Sequence, residues 1–238
     1  MAALVLRGDD DAGTVWLTLN RPDKLNALSP ELFRELATHL DQLERSEAVR
    51  CVVIRGAGRA FSAGADIEAL RAGVVTDDPD MRSRTVARVA ALPCPVLAVV
   101  HGYCFTGGLE LALAADLMLA ADTAIFSDTH ARLGLVPRWG MGARLPRRIG
   151  LSRAKRMTFT AERIGGAEAL AIGLCDWIEP EATLDARAKS IAAELARADP
   201  PAVAQIKMLY EKAADLDLAD ALATERGWTA GGLPRLKA

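Results

Sequence analysis

Apolar and polar positions follow two rhythms along this chain. Short, nearly unbroken apolar runs occur at Val15-Trp16-Leu17-Thr18-Leu19, Cys51-Val52-Val53-Ile54, Val96–Val100 and Leu117–Ala121. Each has the length of a buried strand. Between them the apolar positions spread to helical spacing. Leu32, Phe33, Leu36, Leu40 and Leu43 share one helix face behind Ser29-Pro30-Glu31, a start signal with serine as cap and proline in the first turn. Asn20-Arg21-Pro22 marks a turn. Alternating strands and helices predict an α/β fold with mostly parallel pairing. After about Leu184 the pattern is wholly helical, interrupted by Asp199-Pro200-Pro201. Residues 1–195 are therefore read as a core and 196–238 as a C-terminal helical extension.

Composition narrows the function classes. The 238 residues are 51% hydrophobic and 25% charged, which excludes a disordered chain and suits a globular one with a sizeable core. Lys and Arg number 29 against 31 Asp and Glu, a net charge of −2. A near-neutral chain has no global field for a polyanion, so nucleic acid is not an expected partner. The cysteines at 51, 94, 104 and 175 form no CxxC pair. They predict reduced thiols in the cytoplasm and no metal site. No signal peptide is read in Met1–Asp11. The longest apolar stretch, Leu109–Ala121, is broken by Glu110 and Asp116 and is too short to span a membrane.

Two segments share one design. Val52-Val53-Ile54-Arg55-Gly56 leads to Phe61-Ser62-Ala63-Gly64-Ala65-Asp66-Ile67, and Val96–Gly102 leads to Thr106-Gly107-Gly108-Leu109-Glu110. In both, an apolar strand runs into small residues and then a helix start. Helix starts expose unpaired N–H groups, and small residues let a ligand reach them. Two such starts facing each other would give the paired donors of an oxyanion hole. Tight strand–helix packing accounts for the same glycines, and the pattern leaves both readings open. Gly56-Ala57-Gly58 lacks the third glycine of a dinucleotide fingerprint, and no phosphate-binding loop, nucleophile elbow or HExxH occurs. Glu110 stands in an otherwise apolar helix start. It either faces water, favoured by the helix dipole, or is a buried carboxyl with a raised pKa suited to proton transfer.

Four stretches in order carry a family resemblance. They are Asn20-Arg21-Pro22 with Leu25-Asn26-Ala27-Leu28, Ala60–Ile67, Pro95–Gly102 with Gly107–Ala112, and Ala167–Leu174. Together they resemble the enoyl-CoA hydratase/isomerase (crotonase) superfamily over roughly residues 4–215. The resemblance implies a crotonase-like spiral of repeated β-β-α units with a C-terminal helical region, assembled as a homotrimer or a dimer of trimers. It implies an acyl-CoA thioester as substrate and no cofactor. Its thioester oxygen would sit between the N–H groups of Ala65 and Gly107, with Glu110 activating water or moving a proton at Cα. Lys24, Leu25, Ala27, Ala63, Asp66 and Ile67 would line the CoA groove. Tyr103, Phe105, Gly108 and Leu133 would border the acyl site.

Three departures stand out. The second glutamate of the hydratases would fall at position 130, which here is His130. Histidine suits acid–base work at neutral pH but differs in length and charge. Asp128, two residues before it, could orient it or, at that spacing on a strand or loop, simply point the same way. Arg138 stands where the family often has glycine; it could narrow the water pocket or meet a substrate carboxylate. Gly231-Gly232-Leu233-Pro234 cuts the usual terminal helix short. Lys207 is a candidate phosphate contact, although a solvated lysine is the commoner case. The reading is an enoyl-CoA hydratase. Its alternatives are isomerisation, decarboxylation or thioester hydrolysis, or a non-catalytic acyl-CoA-binding scaffold.

Overall fold

The computed structural model describes residues 2–71 and 78–228. An antiparallel pair opens it, β1 (Val5–Asp9) and β2 (Thr14–Leu19). Helix α1 (Pro30–Leu43) follows, and Ser29 Oγ accepts the Leu32 N–H at 3.3 Å as its cap. A unit of long strand, tight turn, short strand and helix then recurs. The first is β3 (Cys51–Gly56), β4 (Ala60–Ser62) and α2 (Ile67–Arg71), with α3 (Met81–Ala91) after it. The second is β5 (Val96–Val100), β6 (Tyr103–Phe105) and α4 (Gly107–Ala112). The third is β7 (Leu117–Ala121), β8 (Ile125–Ser127) and, beyond a loop, α5 (Met141–Ile149). Then come α6 (Leu151–Thr160), β9 (Ile164–Gly165), α7 (Gly166–Ala171) and β10 (Trp177–Glu179). Helices α8 (Leu184–Leu195), α9 (Pro200–Ala213) and α10 (Leu218–Arg226) close the described chain.

Long and short strands separate into two sheets. One has the order β1-β2-β3-β5-β7-β10 and the other β4-β6-β8-β9. Pairing is parallel except for β1–β2 and β8–β9. Each unit adds one strand to each sheet, so the chain winds as the expected spiral. Gly102 shows why the turn between long and short strand needs glycine. Its φ is +53°, and a Cβ there would lie 2.0 Å from the Arg59 carbonyl oxygen. β5 is buried at every position, and Leu32, Phe33, Leu36 and Leu40 of α1 are fully buried. Each such side chain contributes roughly 1.5–3 kcal/mol by leaving water.

The proline pair that interrupts the helical pattern is a helix start. Asp199 Oδ1 accepts the Ala202 N–H at 3.2 Å, with the prolines in the first turn. The expected division at 195/196 falls between α8 and α9. Lys207 ties α9 to the core, donating to Asp116 Oδ2 at 2.7 Å and to the Cys94 carbonyl at 2.9 Å. This half-buried amine is thus held by two acceptors of the fold, which compete with the expected phosphate contact. Among the described residues no helix is long and apolar enough to cross a membrane.

Candidate active site

Strands β4 and β6 are parallel neighbours, so the bends leaving them lie side by side. The first passes through Ala63-Gly64-Ala65 into α2, the second through Thr106 into α4. Gly64 has φ +100°, and a Cβ on it would lie 3.3 Å from the Gly107 nitrogen. A Cβ on Gly107 would lie 3.3 Å from the Ala65 nitrogen. Neither amide has a protein acceptor among the described residues. In the bridge between Leu28 and Ala65, Leu28 makes both bonds, to Gly64 O at 2.8 Å and from Asp66 N–H at 3.2 Å. Gly107 is the first residue of α4, where N–H groups have no partner within the helix. Two free donors therefore stand together, as an oxyanion would require. Thr106 at the helix entry adopts φ 51°, rare for a residue with a side chain. Its Oγ1 lies 2.5 Å from Thr129 Oγ1 and accepts the Thr129 N–H.

Glu110 is only 1% exposed, so it does not face water. Its Oε1 accepts the N–H groups of Trp139 at 2.8 Å and Met141 at 3.1 Å. Oε2 faces His130 Nε2 at 3.6 Å. Burial raises the Glu110 pKa above the usual carboxylate range, against the pull of those two amides and of His130. On the other side of the imidazole, His130 Nδ1 lies 2.6 Å from Asp128 Oδ1. A carboxylate only accepts, so Nδ1 carries the proton and Nε2 is the nitrogen turned to Glu110. Asp128 Oδ2 accepts from Thr158 Oγ1 at 2.7 Å. Burial alone would raise the Asp128 pKa, but the bonds from His130 and Thr158 hold it below the usual range. The two carboxylates face opposite nitrogens of one ring, Asp128 within hydrogen-bond distance and Glu110 at 3.6 Å. Glu110 and His130 can pass protons to and from a small group lying against both of them.

A cavity of about 250 Å³ opens onto these groups. Ala63, Ala65, Gly107, Glu110 and His130 are among the residues that line it. Ile67, Leu133, Leu135, Val136 and Trp139 give it apolar walls, and Arg82 and Arg138 stand among the residues lining it. Other expected contacts lie outside. Lys24 pairs with Glu68 at 3.0 Å on the surface. Leu25 and Ala27 back the first bend, Leu25 through its carbonyl to the Ala63 N–H. Asp66 caps α2 through Ala69 and pairs with Arg21 at 2.8 Å; despite its burial, the Arg21 bond holds its pKa down. Tyr103 and Phe105 share one face of β6, their rings 5.1 Å apart, and neither lines this cavity. Gly108 serves packing, because a Cβ on it would meet Ser62 O at 2.6 Å. Residue patterns missed Thr158 and Arg82. A cation in the first turn of α3, against the helix dipole, was the available signal for Arg82.

A spiral of strand-strand-helix units that presents two such amides beside a buried carboxyl has the features of an α/β enzyme site, and comparison with known proteins names its family. The chain belongs to the enoyl-CoA hydratase/isomerase family, whose model matches residues 9–230. It is 38% identical over 214 residues to Bacillus subtilis YngF, covering 88% of this chain and 82% of that protein. It is 33% identical over 213 residues to the short-chain-enoyl-CoA hydratase of Clostridium acetobutylicum, again covering 88% and 82%. The crystal structure of an enoyl-CoA hydratase from Bacillus anthracis superimposes with a TM-score of 0.88 at 34% identity, covering 94% of this chain and 88% of that one.

Proposed function

We propose that this protein hydrates 2-enoyl-CoA thioesters. The observation that carries the reading is Glu110 Oε2 facing His130 Nε2 at 3.6 Å beside the unpaired amides of Ala65 and Gly107. In the proposed reaction Glu110 takes a proton from water as its oxygen bonds to Cβ. The double-bond electrons move toward the thioester oxygen, where the two amides stabilise the enolate. His130, as imidazolium held by Asp128, delivers a proton from Nε2 to Cα. Glu110 ends protonated and His130 neutral, and one proton passed back resets the site. The chemistry requires no cofactor. Lys24, Leu25 and Ala27 are assigned to the CoA portion, outside the cavity.

The test follows the loss of conjugated enoyl-thioester absorbance with crotonyl-CoA and longer chains. Turnover supports the reading, and its absence at every chain length rejects it. Histidine in place of a second glutamate favours one rival, another reaction of the same family. Mass spectrometry of 3-enoyl and malonyl-type thioesters separates isomerisation, decarboxylation and hydrolysis. A homotrimer or dimer of trimers is proposed from the resemblance and from the exposed Phe159, Tyr210 and Leu218; sedimentation tests it. A reducing, cytoplasmic location suits four buried free thiols, with Cys51 pushed up to about 12 by burial.

A further inference from the structure

The cavity holds a cation that the hydration reaction does not use. Arg82 lines it, with its guanidinium 5.9 Å from the centre of the Trp139 ring. The Trp139 amide in turn holds Glu110, so Arg82 stands within one residue of the reacting end. Arg82 has no acidic partner among the described residues. Its neighbour Arg138, on the same cavity, has only a 3.6 Å contact with Asp80, and both members of that pair are more than half exposed.

Three costs fall on Arg82 at once. It is partly buried, and the loss of water disfavours its charge. Arg138 is near enough to repel it. It also occupies the first turn of α3, where the helix dipole adds positive potential. An anion placed against the two guanidiniums relieves all three, and a carboxylate matches the planar fork of arginine. The face of the Trp139 ring already supplies a small part of that relief.

We propose that Arg82, with Arg138, receives a carboxylate at the far end of the acyl group, so that the preferred substrates are 2-enoyl-CoA thioesters of dicarboxylic acids. This rests on the hydratase reading, which puts the thioester carbonyl at the paired amides and the acyl chain in the cavity that Arg82 and Arg138 line. The phosphates of CoA are the other source of an anion, and the experiment separates the two.

Hydration rates are compared for a five-carbon 2-enoyl-CoA ending in a carboxylate and for its methyl ester, in wild type, Arg82→Met and Arg82→Lys. Wild type is expected to favour the acid by about tenfold or more in kcat/KM, the range of a hydrogen bond to a charged group. Arg82→Met should collapse that ratio toward one, and Arg82→Lys should retain part of it. A wild-type ratio of one or less, or a ratio that survives Arg82→Met, overturns the proposal. Calorimetry with glutaryl-CoA and butyryl-CoA, which cannot be hydrated, keeps the two readings apart. Tighter glutaryl-CoA binding that depends on Arg82, without turnover of any enoyl-CoA, upholds the carboxylate site and rejects the hydratase. Turnover of crotonyl-CoA with no preference for either carboxylate ligand does the reverse. If Arg82→Met weakens free CoA as much as glutaryl-CoA, the guanidinium serves the phosphates and the proposal falls.

Discussion

Replacing Glu110 by glutamine separates the proton from the shape. The amide has the same outline, and its oxygen can still accept the N–H groups of Trp139 and Met141 that now sit at 2.8 and 3.1 Å. Only the atom facing His130 changes, from a proton acceptor to an NH2 group. General acid–base catalysis contributes typically about 10²–10⁴-fold, or about 2.7–5.5 kcal/mol of barrier at about 1.36 kcal/mol per decade. We expect kcat with crotonyl-CoA to fall by that factor while KM stays close to wild type. Stability should move the other way. Burial raises the Glu110 pKa, so the folded protein binds this proton more tightly than the unfolded chain, whose value is 4.5. Above the folded value the ionised carboxylate disfavours folding, and that penalty fades as pH falls toward 4.5. Glutamine carries no such penalty. The variant should therefore melt higher than wild type under mildly alkaline conditions, with the difference shrinking on acidification. Thermal melts across a pH series and steady-state kinetics read both effects. A variant that keeps more than about a tenth of wild-type kcat refutes the proton-transfer role, and one that melts lower at all pH values refutes the electrostatic argument.

Three other substitutions probe the same framework. Asp128→Asn removes a charged partner from a 2.6 Å bond to His130; kcat should fall roughly ten- to a hundredfold with KM little changed, and unaltered kcat would show that the ring needs no such anchor. The Asp128 pKa lies below its unfolded value of 3.8, so the stability it supplies is present above that value and lost as pH falls through the folded one; acid melts of Asp128→Asn should lack that slope. Gly107→Ala would place a Cβ 2.4 Å from Trp139 Cζ3, so about 1–3 kcal/mol of stability should be lost together with most activity, and a fully active, equally stable variant counts against the tight bend. Lys207→Met breaks the link from α9 to Asp116 and the Cys94 carbonyl; a drop of about 1–3 kcal/mol in chemical denaturation with unchanged KM is expected, whereas raised KM at unchanged stability would return Lys207 to the phosphates.

Local signals carried much of the architecture. The apolar runs at 51–54, 96–100 and 117–121 became the parallel neighbours β3, β5 and β7, and Ser29 capped α1 as its position indicated. Both small-residue bends were readable, because glycine at a helix start follows from backbone geometry within a few residues. The second sheet was not, since β4, β6 and β8 are three residues each and give no periodicity. Partners distant in sequence stayed hidden for the same reason. Thr158 reaches Asp128 across 30 positions and Asp116 reaches Lys207 across 91, pairings that only the folded chain creates. Tyr103 and Phe105 show the converse. Their place near the glycine bend suggested the acyl site, whereas the alternation of β6 puts both side chains on one face and neither lines the cavity.

Trp139 touches more of this machinery than its place in a loop would suggest. Its amide steadies the carboxyl of Glu110, and its ring meets Phe33 of α1 edge-on at 5.0 Å while filling the space beside Gly107. Trimming that ring to admit a bulkier acyl tail would loosen the base it helps to aim. Leu133, Leu135 and Val136, which line the same cavity, are 51%, 40% and 80% exposed and hold none of the reacting groups. Tolerance for new substrates can therefore drift at these exposed positions while reactivity stays anchored at Trp139. Attempts to broaden the range of this enzyme belong on the leucine–valine side, with the indole left in place.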